Sequence, residues 1–246
     1  MTRTRPFART LAVLVALSLT APALAACADV PTAPAPLPPT FIPDVTPSPR
    51  PSDDSIAGFT PLERVALRVR VRTCTTYGTG SAWMLDEKHA ITNRHVIEGA
   101  TNIALTAYNG EEFSVKSSVL DRDSDLALIT INGTFPEAAT IADSEPAHAS
   151  ELTVAGYPEG EALHVVAGPY RGLVEDEIAN REDLVYQLNV VAKPGNSGSP
   201  VANADGEVVG VLYAADSSST AYAVTLSSLE RFLADPSAGK RNRVNC

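Results

Sequence analysis

Pro194-Gly195-Asn196-Ser197-Gly198-Ser199-Pro200 holds one serine closely flanked by two glycines, with a proline at each end. Glycine opens backbone conformations that residues with a Cβ rarely take, and it lets other groups approach closely. A serine placed this way reads as a hydroxyl held out on a tight loop. Alone, the stretch could be any loop; its meaning comes from two segments earlier in the chain. Thr92-Asn93-Arg94-His95-Val96-Ile97 follows directly on an apolar run. Asp121-Arg122-Asp123-Ser124-Asp125-Leu126-Ala127-Leu128 leads from acids into another.

A single histidine, or an aspartate before a strand, is equally commonplace. Together the three segments supply what acyl transfer by a hydroxyl needs. A base takes its proton, an acid holds that base in the right tautomer, and backbone N–H groups face the developing oxyanion. The order His, Asp, Ser is that of the chymotrypsin-like fold and of neither the subtilisin nor the α/β-hydrolase fold.

The three segments resemble those of the trypsin-like peptidase family, and are nearer to its bacterial HtrA-like branch. "TNRHVI", "DRDSDLALI" and "PGNSGSPV" are similar to that branch's His, Asp and Ser segments, and Gly78-Thr79-Gly80 and "DGEVVGVLY" match as well. The resemblance covers about residues 65–235. It implies an all-β fold of two six-stranded antiparallel barrels with the site in the cleft between them. It implies Ser197 as nucleophile, His95 as general base and then acid, Asp125 as the residue that orients His95, and the N–H groups of Gly195 and Ser197 as the oxyanion hole. Asp121 and Asp123 rival Asp125, but the Asp-Leu-Ala pattern selects the last. His89, His148 and His164 match no motif. The expected activity is that of a serine endopeptidase acting on proteins or peptides, with no metal or cofactor. A catalytically silent binding or chaperone-like module on the same fold is the alternative, and an esterase a third.

Some residues depart from the family pattern. Trypsin has Asp where this chain has Asn196, so activation through an ion pair to a new N-terminal ammonium is not expected. Ser199 replaces the second glycine of the usual pair, as in the glutamyl endopeptidase branch. That branch's substrate-reading His has no counterpart here, because Tyr213-Ala214-Ala215 occupies the region. The HtrA-like branch usually carries PDZ modules; this chain ends at Cys246 and none is expected. The S1 pocket should be lined by Val190 to Ala192, Tyr213 to Ala215 and Tyr222 to Val224. With no Asp or Lys at its base, an apolar or small P1 side chain is expected.

The pattern around these segments agrees with a β-rich domain. Leu67, Val69 and Val71 alternate with Arg68, Arg70 and Arg72, which reads as a strand with one buried and one solvated face. Further strands are expected at 80–85, 90–92, 103–107, 113–117, 126–131, 152–156, 163–167, 184–190, 200–202, 208–213 and 221–224. Asn109-Gly110, Asn132-Gly133 and Asp205-Gly206 are turn-prone pairs between them. Many short strands at close spacing indicate an all-β barrel or sandwich. The polar stretch near 133–150 would separate two barrels. One helix is expected at Leu226–Ala234, capped by Ser227 with Glu230 and ended by Asp235-Pro236.

The N-terminal region reads differently. Arg3, Arg5 and Arg9, the apolar run Leu11–Leu19 and small residues to Ala26 have the form of an export signal over residues 1–26. Leu24-Ala25-Ala26-Cys27 resembles a lipobox, whose cysteine is lipidated; ordinary cleavage and secretion is the alternative. Nine prolines between residues 31 and 53 make 27–56 a semi-rigid tether, leaving 57–246 as the protease domain. The expected location is the outer face of a bacterial cytoplasmic membrane. With the leader removed, 16 basic residues face 29 acidic ones, a net charge of −13. Such a surface disfavours a nucleic-acid partner. With Cys27 lipidated, Cys74 and Cys246 remain, and in an oxidising compartment two thiols read as one disulfide.

Overall fold

The computed structural model describes residues 58–176, 178, 181–216, 219–242 and 246. The expected leader, the lipobox with Cys27 and the Pro-rich tether lie outside the described residues.

The described chain opens with a short helix, α1 (Pro61–Val65), fixed by a capping box. Thr60 Oγ1 accepts the Glu63 N–H, and the Glu63 carboxylate accepts the Thr60 N–H. Six strands follow: β1 (Ala66–Arg72), β2 (Tyr77–Met84), β3 (His89–Thr92), β4 (Asn102–Ala107), β5 (Glu112–Leu120) and β6 (Ala127–Ile131), with the one-turn helix α2 (Arg94–Ile97) after β3. They pair antiparallel in the order β5-β4-β1-β2-β3-β6 and close through β5–β6. The second barrel is built from β7 (Glu151–Gly156), β8 (His164–Asp176), β9 (Arg181–Leu188), β10 (Pro200–Ala202), β11 (Val208–Ala215) and β12 (Ala221–Thr225). It closes in the order β10-β11-β12-β9-β8-β7. Closure removes the unpaired strand edges that an open sheet would leave. Helix α3 (Leu226–Ala234) follows, and the chain then returns to the first barrel, where β13 (Lys240–Arg241) pairs with β5.

Period-two alternation fills each barrel. Leu67, Val69, Leu105 and Ile129 are fully buried in the first, as are Leu152, Leu188 and Val209 in the second. A third apolar cluster joins the barrels and includes Trp83, Ile91, Leu126, Tyr157, Val211 and Tyr213. It anchors the chain next to each of the three motif segments. Ile91 lies just before Thr92-Asn93-Arg94-His95, Leu126 just after Asp125, and Tyr213 on the strand beneath Ser197.

Each of the twelve expected strands overlaps an observed one, with ends that differ by one or two residues at Leu85, Leu126, Leu163, Asn189 and Val190, and four local differences have physical causes. The strand expected at 163–167 continues to Asp176, past a β-bulge between Tyr170 and Gly172 that interrupts the alternation. Arg70 and Arg72 are solvated, but Arg68 is half-buried and directs its guanidinium at the Gly160 carbonyl, 3.5 Å away. Helix α3 is capped by Thr225 rather than Ser227. Thr225 still has extended backbone angles and its Oγ1 accepts the Ser228 N–H, whereas Ser227 is already helical. Helices α1 and α2 and strand β13 are too short for periodicity to reveal.

Cys74 and Cys246 form a disulfide across 172 positions of sequence. Nearby, Asn242 clasps the end of α2: its Nδ2 donates to the Ile97 carbonyl (2.8 Å) and its Oδ1 accepts the Gly99 N–H (3.3 Å). The C-terminal segment thus ties α3 to the helix that carries His95. Loop-closure entropy for so long a loop amounts to about 5 kcal/mol. Cys246→Ser should therefore lower the unfolding free energy by up to about 5 kcal/mol, read as a lower denaturant midpoint with a steeper slope, because the chain without its cross-link exposes more surface when unfolded.

Candidate active site

The β3–β6 ladder sets Thr92 opposite Ala127, so the residues just beyond each strand end are neighbours. The Asp125 carbonyl accepts from Asn93 Nδ2 (2.9 Å) and from the Arg94 N–H (3.1 Å). Its carboxylate takes the His95 backbone N–H on Oδ1 (3.0 Å) and lies 2.5 Å from His95 Nδ1 on Oδ2. The Asp125 side chain is 4% exposed and that of His95 48%. The acid is therefore sealed behind the ring while the imidazole edge faces the cleft. Asp121 instead shapes the preceding turn by accepting the Ser124 N–H and hydroxyl, and Asp123 is exposed. Of the other histidines, His89 pairs with Asp86, and His148 and His164 are exposed.

Ser197 comes from the second barrel. Its loop is stitched to β11 by Gly198 N–H to Leu212 O (2.8 Å) and Leu212 N–H to Ser199 O (3.0 Å). It is stitched to the first barrel by Ser81 N–H to Ser197 O (2.7 Å). Gly198 has φ +91°, and a Cβ there would lie 1.9 Å from the Ser81 carbonyl oxygen, so only glycine fits. A Cβ on Gly156 would lie 1.9 Å from Ser199 Oγ. The space left by that glycine is what admits serine at a position where the family pattern has glycine. Ser197 Oγ donates to the Tyr213 carbonyl (3.2 Å) and, among the described residues, makes no hydrogen bond to His95.

Lys193-Pro194-Gly195-Asn196 forms a type II turn. The Asn196 N–H donates to Lys193 O (3.0 Å), Pro194 supplies the pre-set φ, and Gly195 has φ +98°. The Pro194 carbonyl accepts the Glu159 N–H at 2.6 Å. In a planar trans peptide the C=O and N–H point in opposite directions, so the Gly195 N–H is turned away from the 157–160 loop. Neither it nor the Ser197 N–H has a protein acceptor among the described residues. Tyr157, at the start of that loop, is buried and donates to the Ala66 carbonyl (3.3 Å). Burial pushes its pKa up to about 12, against the opposing charge of Arg68.

Beside Ser197 lies a cavity of about 220 Å³ lined by Ala192, Leu212, Ala214 and Ala215 together with the Lys193–Ser197 loop. This corrects part of the expected lining. Ala192, Ala214 and Ala215 are there, but Val190 is in the barrel core and Val191 faces solvent. Tyr213 points to the opposite side of β11 and donates its phenol to buried Asp176 (2.6 Å), while Tyr222 to Val224 lie elsewhere on β12. Among the described residues, no three His, Cys, Asp or Glu side chains converge as a metal site requires.

Residues 78–211 match the model of the trypsin-like peptidase domain. The serine protease Do-like HtrB of Bacillus subtilis is 33% identical over 135 residues, which is 51% of this chain and 30% of that protein. A Chlamydia muridarum protein named "Probable periplasmic serine endoprotease DegP-like" is 33% identical over 148 residues, 59% of this chain and 29% of its own length. This chain therefore spans about a third of the curated relatives it matches. Among solved structures, the active form of the Rv3671c protease of M. tuberculosis superposes with a TM-score of 0.65 at 21% identity, covering 70% of this chain and 81% of that one. At that identity the likeness concerns the fold.

Proposed function

Because the chain belongs to the trypsin-like peptidase family, we propose that it is an extracytoplasmic serine endopeptidase that forms an acyl-enzyme on Ser197. The observation that carries this reading is the buried Asp125 carboxylate holding His95 by ring and backbone N–H together, at the edge of the cleft that also holds Ser197. Asp125 Oδ2 keeps the ring proton on Nδ1, which leaves Nε2 as the base. Attack requires Ser197 Oγ to leave the Tyr213 carbonyl and turn to that nitrogen by rotation about χ1. The proton passes from Oγ to Nε2 as Oγ bonds to the scissile carbonyl carbon. The carbonyl oxygen becomes an anion facing the Gly195 and Ser197 N–H groups. Collapse expels the amine, which takes the proton from His95, and water then repeats the sequence in reverse roles to release the acid.

The small side chains of Ala192, Ala214 and Ala215, with Lys193 directed at Glu159 on the surface, support a small or aliphatic P1 side chain. Digestion of a mixed peptide library followed by mass spectrometry tests both points. Cleavage after Ala, Val or Leu is expected; cleavage confined to sites after Arg, Lys, Asp or Glu would overturn the specificity, and no cleavage the activity. The periplasmic naming of a relative and the signal-like residues 1–26 support the location. The residues of the Leu24–Cys27 lipobox support attachment through lipid on Cys27. Labelling with a fatty-acid analogue should mark the protein and be lost in Cys27→Ala.

A further inference from the structure

Ser81 is fully buried on β2, in the barrel opposite the nucleophile, and binds the site with every polar atom it has. Its N–H donates to the Ser197 carbonyl (2.7 Å), and its carbonyl accepts the Thr92 hydroxyl (2.6 Å). Its own hydroxyl donates to the Gly195 carbonyl (2.8 Å) and accepts the Tyr157 N–H (2.9 Å). That one oxygen therefore joins three segments: the first barrel, the Lys193–Asn196 turn and the 157–160 loop.

The turn needs such a tie. Types I and II share the bond between the first and last residues and differ by a flip of the middle peptide, here Pro194–Gly195. Pro194 suits both types and Gly195 admits the positive φ that type II needs, but glycine also takes negative φ, so the flipped turn stays within reach of this sequence. A flip would withdraw the Gly195 N–H from the cleft and put the Pro194 carbonyl, an acceptor, in its place. Two outside bonds oppose it. The Glu159 N–H holds the Pro194 carbonyl at 2.6 Å, and Ser81 Oγ holds the Gly195 carbonyl. Ser81 also governs the first bond, because it fixes Tyr157 two residues ahead of Glu159. Glu159 itself has φ +57°, a conformation unfavourable for a residue with a Cβ; it is kept there by contacts of this kind.

We propose that Ser81 is a positioning residue whose hydroxyl holds the Lys193–Asn196 turn with the Gly195 N–H facing the cleft. The proposal rests on the reading of Gly195 and Ser197 as oxyanion donors. Ser81→Ala in the full chain removes the hydroxyl and keeps both backbone bonds. Direct loss of an oxyanion donor costs about a hundredfold to a thousandfold in kcat. Loss of its support should cost about tenfold to a hundredfold, with KM within about twofold. The affinity of a peptide boronate, which becomes tetrahedral on the serine, should fall in parallel with kcat/KM. Ser81→Cys, whose thiol is a weaker donor, should fall between, and it carries the test should the Ala variant not fold. A folded variant with unchanged kcat and boronate affinity, or one in which only KM or thermal stability moves, overturns the proposal. A wild type that neither cleaves peptide nor binds the boronate defeats the protease reading itself, and this inference with it.

Discussion

Ser197→Ala is expected to reduce kcat for peptide hydrolysis by about a millionfold, with KM and stability little changed. The hydroxyl is the atom that bonds to substrate, and no nearby serine can take its place. Ser199 Oγ is fully buried beside Gly156, turned away from the cleft. Substrate binding should persist, because the cavity lining and the Gly195 and Ser197 N–H groups do not depend on the hydroxyl. The fold should persist too. The single hydrogen bond lost is the 3.2 Å contact to the Tyr213 carbonyl, worth about 1 kcal/mol. The stitches to Ser81, Leu212 and Asn196 are all backbone. Steady-state kinetics with denaturant unfolding on the same preparation checks both halves of the expectation.

Asp125→Asn should cost about ten-thousandfold in kcat at neutral pH, and here the geometry dictates how. The His95 backbone N–H approaches Oδ1 at 3.0 Å and will retain an oxygen there. An amide in this site must therefore present its NH2 group where Oδ2 now meets Nδ1. An NH2 group can only donate, so Nδ1 becomes the acceptor and the ring proton moves to Nε2, the nitrogen that must receive the Ser197 proton. The site keeps its shape and loses its base. Proton NMR of the ring N–H, read beside the kinetics, should show that proton on Nδ1 in the wild type and on Nε2 in the variant. A variant with wild-type kcat would contradict the part given to Asp125.

What the sequence made legible was whatever is short and local. His95, Asp125 and Ser197 stand in segments whose glycines, acids and strand starts are contiguous, and the strands announce themselves by alternation. What it hid depends on parts of the chain far apart meeting. Tyr213 to Ala215 read as S1 lining, but the register of β11 shifts between Leu212 and Ala214; Leu212, Ala214 and Ala215 take the cavity, and Tyr213 goes to Asp176. Arg68 continued an exposed row in the sequence, yet the 157–160 loop comes to cover it. Ser81 lay one residue beyond Gly78-Thr79-Gly80, a stretch already marked by its resemblance. Its four bonds reach residues 92, 157, 195 and 197, which no local reading would join. Gly156 and Ser199 are a similar case, a cavity and its filler 43 positions apart.

A fluorophosphonate probe bears most directly on whether this chain is an enzyme or a silent protease fold. The probe phosphonylates a serine only where a base takes the hydroxyl proton and donors receive the phosphoryl oxygen. Incubated with the folded protein and followed by peptide mapping, it should modify Ser197 stoichiometrically, fail on Ser197→Ala and react far more slowly with Asp125→Asn. A folded wild type that stays unlabelled, or a label on some other residue, would contradict the assignment of Ser197 as nucleophile.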